Sequence, residues 1–405
     1  MVVGPVAQRW EPRWRAAVVS NVDAIVVGGR CAGAATALSL AESGHRVLMV
    51  EAARWPSDTM STLYIHQPGV VQLARVGVLD DVLASGCPTI ISLNHHVGGV
   101  TVSGSLPLFD GVGFALAPRR YVLDSIMVAK ARELGVDFRQ RTRFVGALWD
   151  GGRVVGARLA GDEVYDVRCA VLVGADGMRS RVAKAVSAPI QRDDGRRTFV
   201  HYTGWRDLGR AAVEIHEASG RYASVIPTHD RTWLVATYGA QAAFAKARRN
   251  PLQHHLDTVR QLDLALWREL ERRDPVVRLH GSGDQKNFVR RPCGPGWALV
   301  GDAGHHKDSI TARGITDALR QAESLGHSLS GRLSSREATD AGLRDYAVAR
   351  NALIENSYAQ TLSATRLDVS KSRLQRHRLV AGSADLTQHH LRVLGGIATA
   401  DDLTD

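Results

Sequence analysis

The stretch Ala24-Ile-Val-Val-Gly-Gly-Arg-Cys-Ala-Gly33 decides the fold. An apolar run ends at Gly28, and the segment Ala32 to Ser43, rich in Ala and Leu, reads as a helix capped by Gly44. Arg46-Val-Leu-Met-Val50 reads as the next strand, closed by Glu51. Strand, glycine turn, helix and strand make one right-handed βαβ unit. Gly28 permits the turn and Gly33 permits close helix–strand packing, so that the backbone at Gly29, Arg30 and Ala32 can present N–H donors and a positive helix end to a pyrophosphate. Arg30 stands where G-x-G-x-x-G has its middle glycine. Its backbone N–H can still donate, and its guanidinium can pair with a phosphate. Glu51 follows Gly28 at the spacing that lets a carboxylate accept ribose hydroxyls. Ala52 comes next, and Arg54 is placed to cover an adenine.

Two later stretches repeat the pattern of an apolar strand ending in glycine and acid. The first is Val171-Leu-Val-Gly-Ala-Asp-Gly177, with Asp176 and Gly177 at the strand end. The second is Ala298-Leu-Val-Gly-Asp-Ala-Gly-His-His-Lys-Asp-Ser-Ile-Thr-Ala-Arg-Gly314. A carboxylate at such an end, Asp176 or Asp302 beside Gly301, can hold a ribityl hydroxyl. A helix opening at Gly314 and Ile315 would set its N-terminus against the N1–C2=O edge of a flavin and favour the anion formed there on reduction. One glycine turn alone is weak evidence. Three in this order point to a flavin dinucleotide, FAD.

Length and composition narrow the classes. A chain of 405 residues with 44% hydrophobic residues can bury a large core and form more than one domain. The net charge of +10 comes chiefly from arginines spread along the chain, with no nucleic-acid module pattern beside them, so no nucleic-acid partner is expected. The charge can instead draw in anionic ligands such as a nicotinamide cofactor. Cys31, Cys87, Cys169 and Cys293 form no C-x-x-C pair and lie at no zinc spacing to histidine, so reduced thiols and no metal are expected. Apolar runs are too short to span a bilayer and no signal peptide is evident, which implies a cytoplasmic protein without a membrane span; a monomer or homodimer is expected.

The pattern assigns the chain to the α/β class, with a Rossmann-like dinucleotide domain interrupted by an α+β substrate domain on a mixed sheet, and a C-terminal helical tail. Residues 1–20 read as a flexible extension. Residues 21–88, 118–186 and 291–335 read as three parts of the FAD-binding domain. Residues 89–117 and 187–290 read as the substrate domain, and 336–405 as the helical region. Leu123 to Leu134 is an amphipathic helix stopped by Gly135, and Val136 to Leu172 reads as a strand meander turning at Gly151-Gly152.

Together with Arg120-Tyr-Val-Leu-Asp124, these motifs resemble the single-component FAD-dependent monooxygenases of the p-hydroxybenzoate hydroxylase type, over roughly residues 22–330. The turn Gly28-Gly-Arg-Cys-Ala-Gly33, the segment Trp55-Pro-Ser-Asp-Thr-Met-Ser-Thr62 and the run Gly301 to Asp308 resemble a bacterial branch in which arginine often takes the middle-glycine position. The resemblance implies that Arg120 contacts FAD. It implies that NADH or NADPH serves as a transient reductant and that O2 is a co-substrate. A flavin C4a-hydroperoxide would then hydroxylate or epoxidise an aromatic or polyketide-like small molecule, as in natural-product tailoring. Two departures stand out: Ser309 replaces the usual proline, and Arg313 the usual glutamine before Gly314. Candidate pocket residues are His201, Tyr202, Trp205, Tyr222, Pro227 and Tyr238, and candidate proton acceptors are His305 and His306. Two alternatives stay open. One is an FAD-dependent reductase of the geranylgeranyl-reductase type, and the other a non-catalytic FAD-binding protein. A halogenase is disfavoured, because Val225-Ile-Pro227 lacks the tryptophans of W-x-W-x-I-P.

Overall fold

The computed structural model describes residues 21–56 and 61–399. The extension at 1–20 and residues 57–60 of the Trp55–Thr62 segment lie outside them. Strand Ala24–Val27 leads through the turn into helix Cys31–Glu42 and back to strand Val47–Glu51. Strand Ala24–Val27 sits between two parallel neighbours, Val47–Glu51 and Val171–Gly174. The chain therefore builds outward on one side, then crosses to the other. A topological switch point lies beside the Gly28 turn, where open α/β sheets bind ligands. Asp137–Gln140 extends one edge of this six-stranded sheet, and Trp297–Leu299 with Cys293–Gly294 the other. Its central strands are buried on both faces, under helices Cys31–Glu42 and Gly314–Leu329 on one side and a three-stranded meander, Arg143–Arg168, on the other. Near-continuous apolar runs such as Ala24-Ile-Val-Val27 follow from this double burial.

The predicted helix at 123–134 occupies Arg120–Glu133, and Gly135 ends it with φ +83°. The expected 136–172 meander divides between two sheets. Its first strand joins the parallel sheet, Arg143–Arg168 forms its own antiparallel sheet, and Val171–Gly174 returns to the centre.

The second layer is a seven-stranded sheet. Strands Ser92–Val97 and Val100–Ser105 continue it beyond Val213–Ala218, Arg221–Thr228, Thr232–Ala240, Thr198–Arg206 and Val277–Ser282. Segments 89–117 and 187–290 thus meet in one sheet, through the parallel pairing of Leu93 with Val213 and of His95 with Ile215. One face packs on helices Pro251–Leu262 and Leu264–Glu271 around Trp205, Val225 and Val259. The other face looks toward the dinucleotide domain. Helices Lys371–Ala381 and Ala384–Gly395 fold back as a cover over that inner face, reached by the long helix Arg336–Ala364. Among the described residues no helix is long and apolar enough to cross a membrane.

Candidate functional site

At the first turn, Gly28 has φ +111°, and a Cβ there would lie 2.4 Å from Ala175 O. A Cβ on Gly33 would lie 1.8 Å from Gly28 O, so helix Cys31–Glu42 rests on the turn by backbone contact alone. Both carboxylate oxygens of Glu51 accept backbone N–H groups, from Gly29 at 2.9 Å and from Ala53 at 2.8 Å. Glu51 therefore pins the turn to the second strand, while keeping further lone pairs for a ribose hydroxyl. Ala52 and Arg54 are exposed beside it. Arg30, the N-cap of the helix, adds no side-chain cap.

Arg120 and Asp124 close the helix end from the next layer. Arg120 Nη2 donates to both Asp124 oxygens, at 3.1 and 3.0 Å, and lies 3.5 Å from Cys31 Sγ. Arg120 Nε is buried without a partner, a donor suited to an acceptor such as a phosphate oxygen. Asp302 is exposed next to this group, and a Cβ on Gly301 would lie 3.1 Å from Ala32 Cβ. The first and third motifs, some 270 residues apart, thus share one surface with Arg120. At Gly314 the helix end is open: no atom lies within 4 Å of a Cβ position, and Arg313 gives no side-chain cap. A glycine cradle, an unpartnered guanidinium nitrogen and an uncapped N-terminus of a sixteen-residue helix are the donor set that FAD needs.

Asp176 is engaged by the next helix. It accepts from Ser180 Oγ at 2.5 Å and from Arg181 N at 2.6 Å, so it fastens the short helix Arg181–Ala185. Gly177, φ +78°, makes the bend between them.

A cavity of about 610 Å³ lies between the inner face of the seven-stranded sheet, the turn Thr311–Arg313 and the C-terminal cover. Leu93, Val213, Ile215, Ile226, Val393 and Leu394 give it an apolar lining. The expectation that six residues of 201–238 line one pocket needs correction, because side chains alternate along a strand. Tyr222 lines the cavity. Tyr202 and Tyr238 share its side of the sheet, and the Tyr238 hydroxyl lies 3.0 Å from Ser309 Oγ. His201 and Trp205 face the opposite helices, against His254 and His255. Pro227 shares the strand face of Val225, also away from the cavity.

His305 and His306 do not line the cavity either. His305 is buried, with Nδ1 3.2 Å from Gln321 Nε2 and Nε2 3.6 Å from Asp317 Oδ2. Burial lowers its pKa, against the pull of Asp317. His306 lies in a short strand paired with Lys286–Arg290, and its Nδ1 is bonded to Lys286 O. Lys307 forms a buried ion pair with Asp317, whose carboxyl stays far below its ordinary range. Burial opposes that shift, and the Lys307 charge overcomes it. These residues brace the turn rather than face a substrate.

The two departures at 309 and 313 also have structural roles. Ser309 is held by Gln285 Oε1, accepting from Ser309 N at 3.1 Å and from Oγ at 2.6 Å. Buried Arg313 donates from Nη2 to Gln360 Oε1 at 2.9 Å and to the carbonyls of Val393 and Leu394 at 3.0 Å each. It ties the turn to the end of the cover.

Sequence reading missed the cavity's polar wall. His95, Glu217, Arg373, His377 and His390 come from the substrate sheet and from the tail. Glu217 Oε1 lies 2.8 Å from His95 Nε2, and Glu217 Oε2 lies 2.6 Å from Arg373 Nη2. Burial resists it, but these two partners pull the Glu217 carboxyl down to about 2. Sequence spacing shows no metal-ligating set, whereas the fold gathers two triads, His95–His377–His390 and His96–Glu214–His216. Local spacing holds no signal for the first, because 282 residues separate His95 from His377.

The fold and this donor set define a doubly wound α/β protein that binds a dinucleotide at its switch point. Residues 21–361 match the model of the FAD binding domain family, and the chain belongs to that family. It is an FAD-dependent oxidoreductase. It is 27% identical over 415 residues to menaquinone reductase of Mycolicibacterium smegmatis, covering 95% of this chain and 93% of that one. It is 26% identical to 6-methylpretetramide 4-monooxygenase of Streptomyces rimosus, over 88% of this chain and 84% of that one. The flavin-dependent brominase Bmp2 has the same fold, with a TM-score of 0.79, 18% identity and 95% of each chain covered.

Proposed function

We propose that the protein is an NAD(P)H-consuming monooxygenase that hydroxylates or epoxidises an aromatic or polyketide-like small molecule. The supporting observation is the covered apolar cavity that runs up to the Thr311–Arg313 turn, directly before the open helix end at Gly314. Oxygen transfer needs a dry chamber beside the reacting ring. Gly28, Gly29, Arg30, Ala32 and Gly33 would hold the FAD pyrophosphate, with Glu51 toward the ribose and Arg120 toward a phosphate. Gly301, Asp302, Gly314 and Ile315 would meet the ribityl chain and ring. When bound, FAD supplies the transfer of reducing equivalents from NADH or NADPH and the activation of O2. The chain's own part is to exclude water with the cover and to orient the substrate between Tyr222, Ile226 and Leu394. Arg366 and Arg376, which also line the cavity, suit a substrate with an acidic or phenolate oxygen.

Reduction of a carbon–carbon double bond is the second reading, favoured by the similarity to menaquinone reductase over 95% of this chain. The test is to reduce the FAD-loaded enzyme anaerobically, then mix it with oxygen-18 and a panel of polycyclic phenols. A product carrying oxygen-18 is expected. A product gaining two hydrogens without oxygen would transfer the assignment to the reductase. Hydrogen peroxide alone across the panel and prenylated quinones would overturn both.

A further inference from the structure

Three histidines from distant elements meet in the cavity wall. His95 is on strand Ser92–Val97, His377 on helix Lys371–Ala381 and His390 on helix Ala384–Gly395. One ring nitrogen of each lies within 4.8 Å of the other two. The far nitrogens of two rings are already engaged. His95 Nε2 faces Glu217 Oε1 at 2.8 Å, and His377 Nε2 faces the carbonyl of His95 at 3.1 Å. A carboxylate and a carbonyl can only accept, so each ring keeps its proton on Nε2 and leaves Nδ1 bare. Outer acceptors that fix a tautomer in this way are the usual support of metal-binding imidazoles. His390 completes the group, its Nε2 2.9 Å from His95 Nδ1. Two nitrogens bound to one tetrahedral zinc, at about 2.05 Å each, lie ~3.3 Å apart. To become two ligands of one ion, this pair must part by ~0.4 Å and its rings, now 12° from coplanar, must turn so that both lone pairs converge.

The helices that carry His377 and His390 supply an independent observation. In Lys371–Ala381 the only buried residue is His377, and in Ala384–Gly395 only Leu391 and Gly395 are buried. Leu379, a large apolar residue, is left 67% exposed. Their apolar footing is small, with Leu391 and Leu394 packed on the cluster beneath and Arg313 as a polar tie at one end. Helices or small modules with little core are commonly fastened by a metal.

We propose that His95, His377 and His390 bind one divalent transition metal of the zinc class, which fastens the C-terminal cover to the substrate sheet. The three rings line the cavity, so the remaining coordination position opens onto it and can take water or a substrate oxygen. Glu217 orients His95, and Arg373 balances the Glu217 charge. The triad His96–Glu214–His216, on the opposite face of the same sheet, suits a cation less well. There Arg210 Nη1 lies 2.6 Å from Glu214 Oε2 and sets a positive charge beside the ligands.

The test uses the untagged, FAD-loaded protein, equilibrated with zinc and dialysed into metal-free buffer. One equivalent of retained zinc is expected, falling to background in a His377→Ala/His390→Ala variant and unchanged in His96→Gln/His216→Gln. Cobalt loading should give the visible bands of tetrahedral coordination in the wild type. Stripping zinc with a chelator should speed amide exchange across residues 371–395 at least tenfold. FAD occupancy and circular dichroism report whether the variants fold. If they do not, the chelator comparison on the wild type decides. Zinc retained equally by the folded His377→Ala/His390→Ala variant would overturn the proposal, as would a wild type that retains none or a chelator that leaves 371–395 unchanged.

Discussion

Replacing Arg313 by glutamine should release the C-terminal cover without unfolding the protein. Arg313 is buried, and its Nη2 alone serves Gln360 and the carbonyls of Val393 and Leu394. A charge-assisted bond is worth roughly 1.5–3 kcal/mol. The three share one nitrogen and offset the cost of burying the charge, so their combined loss should be about 3 kcal/mol. A glutamine amide is shorter and cannot reach across to Val393 and Leu394. All three bonds join the turn to the cover or to the helix beneath it. The loss should therefore appear as local opening of residues 371–396, with the central sheet unaffected. On a scale of about 1.4 kcal/mol per decade, amide exchange there should rise roughly 150-fold. Hydrogen exchange followed by mass spectrometry on the FAD-loaded Arg313→Gln variant measures it segment by segment. Unchanged exchange in 371–396, or a rise shared equally with Ala24–Val27 and Val171–Gly174, would refute the assignment of Arg313 as the tie.

Two further outcomes follow from the site. Gly33→Ala sets a Cβ 1.8 Å from Gly28 O, and only a backbone shift relieves it. FAD affinity, read by flavin fluorescence on titration, should fall by about 100-fold, ~2.7 kcal/mol. Wild-type affinity in this variant would show that the cradle is elsewhere. Asp308 gives a pH signature: burial pushes its carboxyl up to about 6 from the ordinary 3.8, against the pull of its bond from Thr198. Because the folded pKa is raised, the contribution to stability is full below about pH 4 and is lost as pH rises through 6. It amounts to ~3 kcal/mol at 1.36 kcal/mol per unit. Denaturant titrations across pH 4 to 7 should show this slope in the wild type minus Asp308→Asn difference. A flat difference would mean the carboxyl is not desolvated.

These interactions explain how a turn rich in ionisable groups can be buried. Lys307, Asp308 and Arg313 are all buried and partnered, by Asp317, Thr198 and the cover respectively. Removing one partner of such a pair leaves a charge or dipole stranded in a medium that cannot solvate it. His305 and His306 belong to this bracing, which is why histidines next to the third motif do not reach the cavity.

The sequence by itself determined the dinucleotide half of the molecule. Glycines at 28 and 33 and the acid at 51 belong to one βαβ unit, and the helix after Gly314 opens at its own turn. Their spacing therefore carries their geometry, and the turns and helix ends can be read directly. Arg120 came from the resemblance of Arg120-Tyr-Val-Leu-Asp124 to the family motif, since helical periodicity alone began only at Leu123. The cavity was decided by tertiary structure alone. Which of Tyr222, His201 and Trp205 faces it depends on strand register, and a shift of one residue reverses the answer. The Arg313 tie and the triad His95–His377–His390 join segments separated by tens to hundreds of residues. Nothing local constrains those distances, and they exist only because the cover folds back onto the sheet.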